Sequence, residues 1–237
     1  MTIQRIVSCV LLAITMAFAV PAKAEPITLR EFLSERAIEA PGPWYAPGTE
    51  PETSEQRASR LRMIVDVIVT SAPVAAKEYD WFWTPTDLAI AAFTKTYYES
   101  GHWDIKIHNG TKKGDHGHSV CLGQIWGGGK KLVGTDRAHT TACIMAVMKH
   151  LAFHQHRCLN NTTPINWWSV AQIYSGYGTG WSCKAGIWRA KQNPDGSEMR
   201  NPDGSPVKEF WAMNRAHAWD RTEKAWHEQS MGPVVTN

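Results

Sequence analysis

Apolar residues recur at helical spacing along most of the chain, and short capping signatures mark where each run begins. Ala58, Leu61, Val65 and Ile68 share one face of a helix. Thr53 and Gln56 ahead of them form a capping box, in which each side chain satisfies the other residue's backbone N–H. A helix is therefore expected from there to Pro73, whose missing N–H ends it. The same signature in Thr28-Leu29-Arg30-Glu31 predicts a short helix to Glu39. Thr84-Pro85-Thr86-Asp87 places proline at the first helical position, and Ile90, Phe93 and Tyr97 line one face as far as Glu99-Ser100-Gly101. Thr135-Asp136 caps a long helix to about His156, with Ile144, Val147, Met148 and Leu151 inward. Asn166 caps another, with Trp167, Val170 and Tyr174 on one face. A last amphipathic helix, about Glu209–Gln229, carries Trp211, Trp219 and Trp226.

The segments between these runs lack that period. Pro41 to Pro51 is a loop rich in proline and glycine. His102 to Gly129 is rich in Gly, Asn and Lys, with β-prone pieces at Asp104–His108 and His118–Trp126, and reads as an irregular lobe holding a small hairpin. Asn193-Pro194-Asp195-Gly196-Ser197 returns as Asn201-Pro202-Asp203-Gly204-Ser205, two turns that suggest a hairpin or an arm. The fold class expected is mainly α with a small β element (α+β).

Composition changes this picture at the N-terminus. The 237 residues are 43% hydrophobic and 20% charged, which excludes a mostly disordered chain. The formal charge of +3 invites a nucleic-acid reading, but Met1–Arg5, the apolar run Ile6–Val20 and the Ala-x-Ala at Ala22–Ala24 have the layout of a secretory signal peptide cleaved after Ala24. Removing it takes Arg5 and Lys23 and no acid, leaving 23 basic against 22 acidic side chains, or +1. No nucleic-acid partner is expected, and the protein is expected to be periplasmic or secreted, peripheral to a membrane at most. Cys9 leaves as well. The remaining Cys121, Cys143, Cys158 and Cys183 suit two disulfides in an oxidising compartment, with three connectivities open. Cys121–Cys143 with Cys158–Cys183 is the pairing favoured.

The chemistry-bearing feature is an acid at a helix end. Glu99 follows Phe93 and Tyr97 and adjoins Tyr98. Partial desolvation there is expected to raise its pKa, as a general acid needs. Asp115-His116-Gly117-His118, and His150 with His154 one helical turn apart, offer a competing zinc-dependent exported hydrolase, although Leu151 stands where the H-E-x-x-H motif needs glutamate.

Three short motifs in order, Tyr98-Glu99-Ser100-Gly101, Leu122-Gly123-Gln124-Ile125 and Ala171-Gln172-Ile173-Tyr174-Ser175-Gly176, resemble those of lysozyme-like lytic transglycosylases of the soluble-lytic type. The resemblance covers about Trp83 to Trp188. It implies a lysozyme-like fold with Glu99 as the catalytic acid, Ser100 beside it, Gln124 lining the cleft and the Tyr174 hydroxyl near the carboxylate. It departs from the family where the methionine before Gln124 is missing and where Ser175 replaces asparagine, which bears on substrate contacts more than on the acid.

The expected layout is a signal peptide (1–24), an N-terminal helical extension (25–80), a lysozyme-like catalytic domain (81–190), an NPDG-repeat segment (191–208) and a C-terminal helix and tail (209–237). The activity implied is cleavage of the β-1,4 bond between N-acetylmuramic acid and N-acetylglucosamine in peptidoglycan, with no cofactor and no metal. The family works with one glutamate, as acid and then as base, and closes a 1,6-anhydro ring. A hydrolase needs a second carboxylate roughly 5–9.5 Å away, for which Asp104 is the main candidate, ahead of Asp115 and Asp136. Trp103, Trp126 and Trp181 lie near the motifs, where indole faces stack on sugars. The non-enzymatic alternative is a cell-wall-binding or envelope-scaffold protein of the same fold, with an envelope protein docked on the terminal helices.

Overall fold

A computed structural model describes residues 27–114, 117–159, 173, 188–191, 193, 195–210 and 213–231. It is mainly α, with two short antiparallel strand pairs. Helix α1 (Leu29–Glu39), α2 (Ser54–Glu78) and α3 (Pro85–Glu99) each begin with the capping box that the sequence announces. At α3, for example, the Asp87 N–H donates to Thr84 Oγ1 at 3.2 Å while Asp87 Oδ2 accepts from the Thr84 N–H at 2.9 Å.

Pro73 does not end α2, which runs on to Glu78 with the proline inside it. An interior proline costs about 3 kcal/mol. Ser71, Ala72 and Ala75, all buried on either side of it, keep the helix in register with its neighbours. The β-prone Asp104–His108 is instead one helical turn, α4 (Ile105–His108), because Asp104 Oδ1 accepts the Lys106 N–H at 2.9 Å and caps it. The alternating isoleucines were too short a pattern to decide between the two.

The hairpin expected in the irregular lobe is present. Strand β1 (Ser119–Val120) pairs with β2 (Ile125–Trp126), Val120 opposite Ile125. Helix α5 (Arg137–Leu159) follows, with the Asp136 carboxylate accepting from the His139 N–H. Strand β3 (Trp188–Ala190) pairs with β4 (Lys208–Phe210), and the two NPDG turns lie between them with matching hydrogen bonds. Glu209, expected to open the last helix, pairs with Arg189 in this ladder, so α6 begins later and spans Met213–Ser230. The helix expected from Asn166 falls outside the described residues except for Ile173, which is helical and buried.

Every residue of α3 from Leu88 to Thr96 is buried. A helix buried all round is a core helix, and α2, α5 and α6 pack around it while α1 covers α2. Phe32 of α1 meets Trp226 of α6 at 5.5 Å between ring centroids, and Trp219 of α6 is buried. The core therefore grips α3 from Leu88 to Thr96, while Pro85 at its start and Tyr97 to Glu99 at its end reach the surface. Among the described residues no helix is long and apolar enough to cross a membrane.

Candidate active site

The C-terminal end of α3 carries Glu99. Its side chain is 10% exposed and lies 3.7 Å from the ammonium of Lys95, one turn earlier and 4% exposed. The turn after Glu99 is built to stop the helix sharply. Ser100, fully buried, donates to the Thr96 carbonyl at 2.5 Å and accepts the Trp103 N–H at 2.8 Å. Gly101, His102 and Trp103 then run at φ of 59°, 68° and 56°, three successive left-handed residues. Such a residue with a side chain costs roughly 1–2 kcal/mol. The cost is offset by the Trp103 indole, which packs edge-on against Phe93 and Tyr97 and donates to Thr96 Oγ1 at 3.2 Å. Ser100 and Trp103 thus hold the end of α3 from within. Trp103 is 1% exposed and offers no face to a sugar.

The β1–β2 hairpin forms the facing wall. Its tip, Cys121 to Gln124, turns through positive φ at both ends, 61° and 48°. A disulfide between Cys121 and Cys143 ties it to α5. Gly123 is pressed so closely on α5 that a Cβ there would lie 2.1 Å from Val147 Cγ2. The tip thereby fixes Gln124, whose amide donates to the Cys121 carbonyl at 3.2 Å, and Trp126, which is 74% exposed. The side of α5 supplies Ala146, Lys149, His150 and Phe153. Together these residues enclose a cleft of about 670 Å³, lined by Lys95, Glu99, Gln124, Trp126, His150 and Phe153 among others. That volume is in the range of small-ligand sites, and the lining mixes exposed aromatic faces with a few polar groups.

Glu99 is the one carboxylate on the described lining of the cleft. Asp104 is buried elsewhere. Its carboxylate accepts from the Tyr45 hydroxyl and the Lys106 N–H, and Lys112 approaches to 3.4 Å. It thus anchors the Pro41–Pro51 loop and does not line the cleft. Asp136 is a helix cap and lines a separate groove of about 720 Å³ between α2 and the start of α5, whose Arg60 is already paired with Glu52. Tyr174, Trp181 and Asp115 lie outside the described residues.

His150 and His154 meet through their Nε2 atoms at 3.0 Å. Burial, reinforced by the charge of Lys95, pushes the His150 pKa down to about 4, so it is neutral at pH 7. Among the described residues, no group of three or more His, Cys, Asp or Glu side chains is placed to hold a metal ion. The Cys121–Cys143 pairing agrees with the one favoured from the sequence. Cys158 is also disulfide-bonded, and Cys183 lies outside the described residues.

Sequence reasoning passed over Lys95 and Phe153. Lys95 had a signal, a lone cation in the otherwise apolar and hydroxylic stretch Ala89–Thr96, at i,i+4 spacing from the acid. Phe153 had none, since an exposed apolar residue on a helix is ordinary. Comparison with protein-family models, with curated proteins and with solved structures returned no match to this chain.

Proposed function

We propose that the protein is an exported, lysozyme-like lytic transglycosylase that cleaves the β-1,4 bond between N-acetylmuramic acid and N-acetylglucosamine in peptidoglycan. The observation that carries this reading is the position of Glu99. It ends a rigidly held helix on one wall of a sugar-sized cleft, faces a hairpin bearing Gln124 and Trp126, and has no second carboxylate on the described lining. A carboxylate at a helix C-terminus faces the negative end of the macrodipole and is unfavourable for the helix. Residues that break a local rule in this way concentrate at functional sites. The order of helix, acid and small hairpin also supports the resemblance of the first two motifs, while the third lies outside the described residues apart from Ile173.

One carboxyl group suffices for the proposed reaction. Glu99 donates its proton to the glycosidic oxygen as the bond to C1 of the muramic acid breaks. The C6 hydroxyl oxygen of the same sugar then bonds to C1, and its proton returns to the Glu99 carboxylate. Atoms balance without water, and the product ends in a 1,6-anhydro ring. Trp126 provides a platform for a sugar ring on the opposite wall. Ser100 shapes the helix end from inside the fold.

Digestion of purified peptidoglycan followed by mass spectrometry tests both parts. Release of 1,6-anhydro fragments by wild type, lost in Glu99→Gln, is expected. Fragments one water heavier turn the reading to a hydrolytic muramidase. Equal release by wild type and Glu99→Gln removes the catalytic role and leaves a binding or scaffold protein.

A further inference from the structure

The pairing of Lys95 with Glu99 has no ready explanation in helix stability. Its order along α3, cation first and acid four residues later, is the less favourable orientation of an i,i+4 pair, and the acid sits at the wrong end of the helix dipole. Lysine is almost never fully buried unless it is paired, and here it lies in a run of nine buried residues. Its ammonium reaches Glu99 Oε1 at 3.7 Å. That distance gives strong attraction across a surface with little water. It is too long for a hydrogen bond, so Lys95 does not occupy the oxygen in the way a tight bidentate partner would. Lys95 also lines the cleft beside Glu99. His150, the neighbour on α5, is neutral at pH 7 and adds no competing charge.

We infer that Lys95 is the positioning residue of the active site: its ammonium holds the Glu99 side chain against the cleft wall, in the one place from which it can give its proton to the leaving oxygen and recover one from the C6 hydroxyl. This rests on the reading of Glu99 as the proton-transfer group. The ammonium remains charged throughout and exchanges no proton with the substrate. Its effect falls on the placement of Glu99 during the proton transfers and not on the binding of the neutral sugar rings, so it belongs in kcat.

The test uses soluble glycan strands prepared from peptidoglycan, with kcat and KM measured for wild type, Lys95→Met, Lys95→Arg and Glu99→Gln. Lys95→Met, close to isosteric and suited to a buried place, is expected to lose about 100-fold in kcat, the loss typical of a mispositioned catalytic group, with KM within about twofold. Lys95→Arg, which keeps the charge, is expected to recover at least tenfold of that loss. If Glu99→Gln is inactive and Lys95→Met stays within about threefold of wild-type kcat, the role of Lys95 is overturned while that of Glu99 stands. An arginine variant no better than the methionine one overturns it equally. If Glu99→Gln is fully active, the reading beneath the inference fails first. Should Lys95→Met not fold, Lys95→Gln is compared with Lys95→Arg instead, and a neutral variant as fast as the charged one overturns the role.

Discussion

Gly123 lies flat against Val147, with 2.1 Å between the place a Cβ would take and the valine Cγ2. This contact seats the hairpin on α5 and sets the distance of Gln124 and Trp126 from Glu99. Gly123→Ala is expected to cost about 1–3 kcal/mol in urea unfolding, the range for forced overpacking, and to lower activity by displacing the hairpin. Val147→Ala added to it is expected to recover part of both losses. Double-variant costs that simply add would mean that the two side chains do not meet.

Two tryptophans near the motifs are expected to behave in opposite ways. Trp103→Ala removes a side chain buried against Phe93 and Tyr97 and is expected to cost about 3–5 kcal/mol of stability. Trp126→Ala removes an exposed one and is expected to leave stability within about 0.5 kcal/mol, while binding of glycan strands weakens roughly tenfold, the worth of one lost stacking face. Denaturant melts and calorimetric titration of the strands into Glu99→Gln backgrounds separate the two effects. Tight binding by the Trp126 variant would remove that residue from the sugar site.

The Cys121–Cys143 bond closes a sequence separation of 22 residues. The chain-entropy relation gives roughly 3 kcal/mol for such a loop. Cys121→Ala/Cys143→Ala is expected to lose about that much, read from the shift in the urea midpoint, and to lose activity disproportionately, because the bond holds one wall of the cleft. Unchanged activity at full folding would show that the Gly123–Val147 contact seats the hairpin alone.

Stability should respond to pH in two opposing ways. Burial, reinforced by Arg60 at His108 and by Lys95 at His150, holds their pKa values at about 3 and about 4, against an ordinary 6.5. Unfolded histidines take up protons as pH falls below 6.5 and the folded ones resist. Their contribution is complete above 6.5 and is lost as pH falls toward 4 and 3. Glu223 on α6 runs the other way. Burial, helped by the Asp87 carboxylate, raises it from 4.5 to about 7. Its contribution is complete below 4.5 and lost as pH rises through 7. Glu223→Gln is therefore expected to gain stability over wild type between about pH 5 and pH 8 in urea melts, and parallel curves would show that the carboxyl is not held protonated.

The elements with strong local punctuation were legible in the sequence. Thr28, Thr53 and Thr84 each announced a helix through a reciprocal cap, and the glycine-rich lobe announced its hairpin. What sequence missed was decided by contacts made across the chain. Pro73 reads as a terminator because its own N–H is missing, yet burial of Ser71, Ala72 and Ala75 carries α2 past it. Glu209 reads as helical from local spacing, but its partner is Arg189, some twenty residues back, and pairing overrides the propensity. At the site, Glu99 was visible as an acid at a helix end. The removal of Trp103 and Asp104 from the cleft was not, because the left-handed run from Gly101 to Trp103 turns the chain back into the core and no spacing rule encodes that turn. Lys95 left a trace in the sequence, a lone cation four residues before the acid, but only its burial turns an ordinary surface pair into a constrained one.

The covalent tie between the hairpin tip and α5 changes how the cleft can move. The hairpin tip is bonded to a helix whose inner face is buried in the same core as Leu88–Phe93 of α3. Both walls of the cleft are thereby anchored to one core, and its width is left to the exposed side chains at its rim, Trp126 and Phe153.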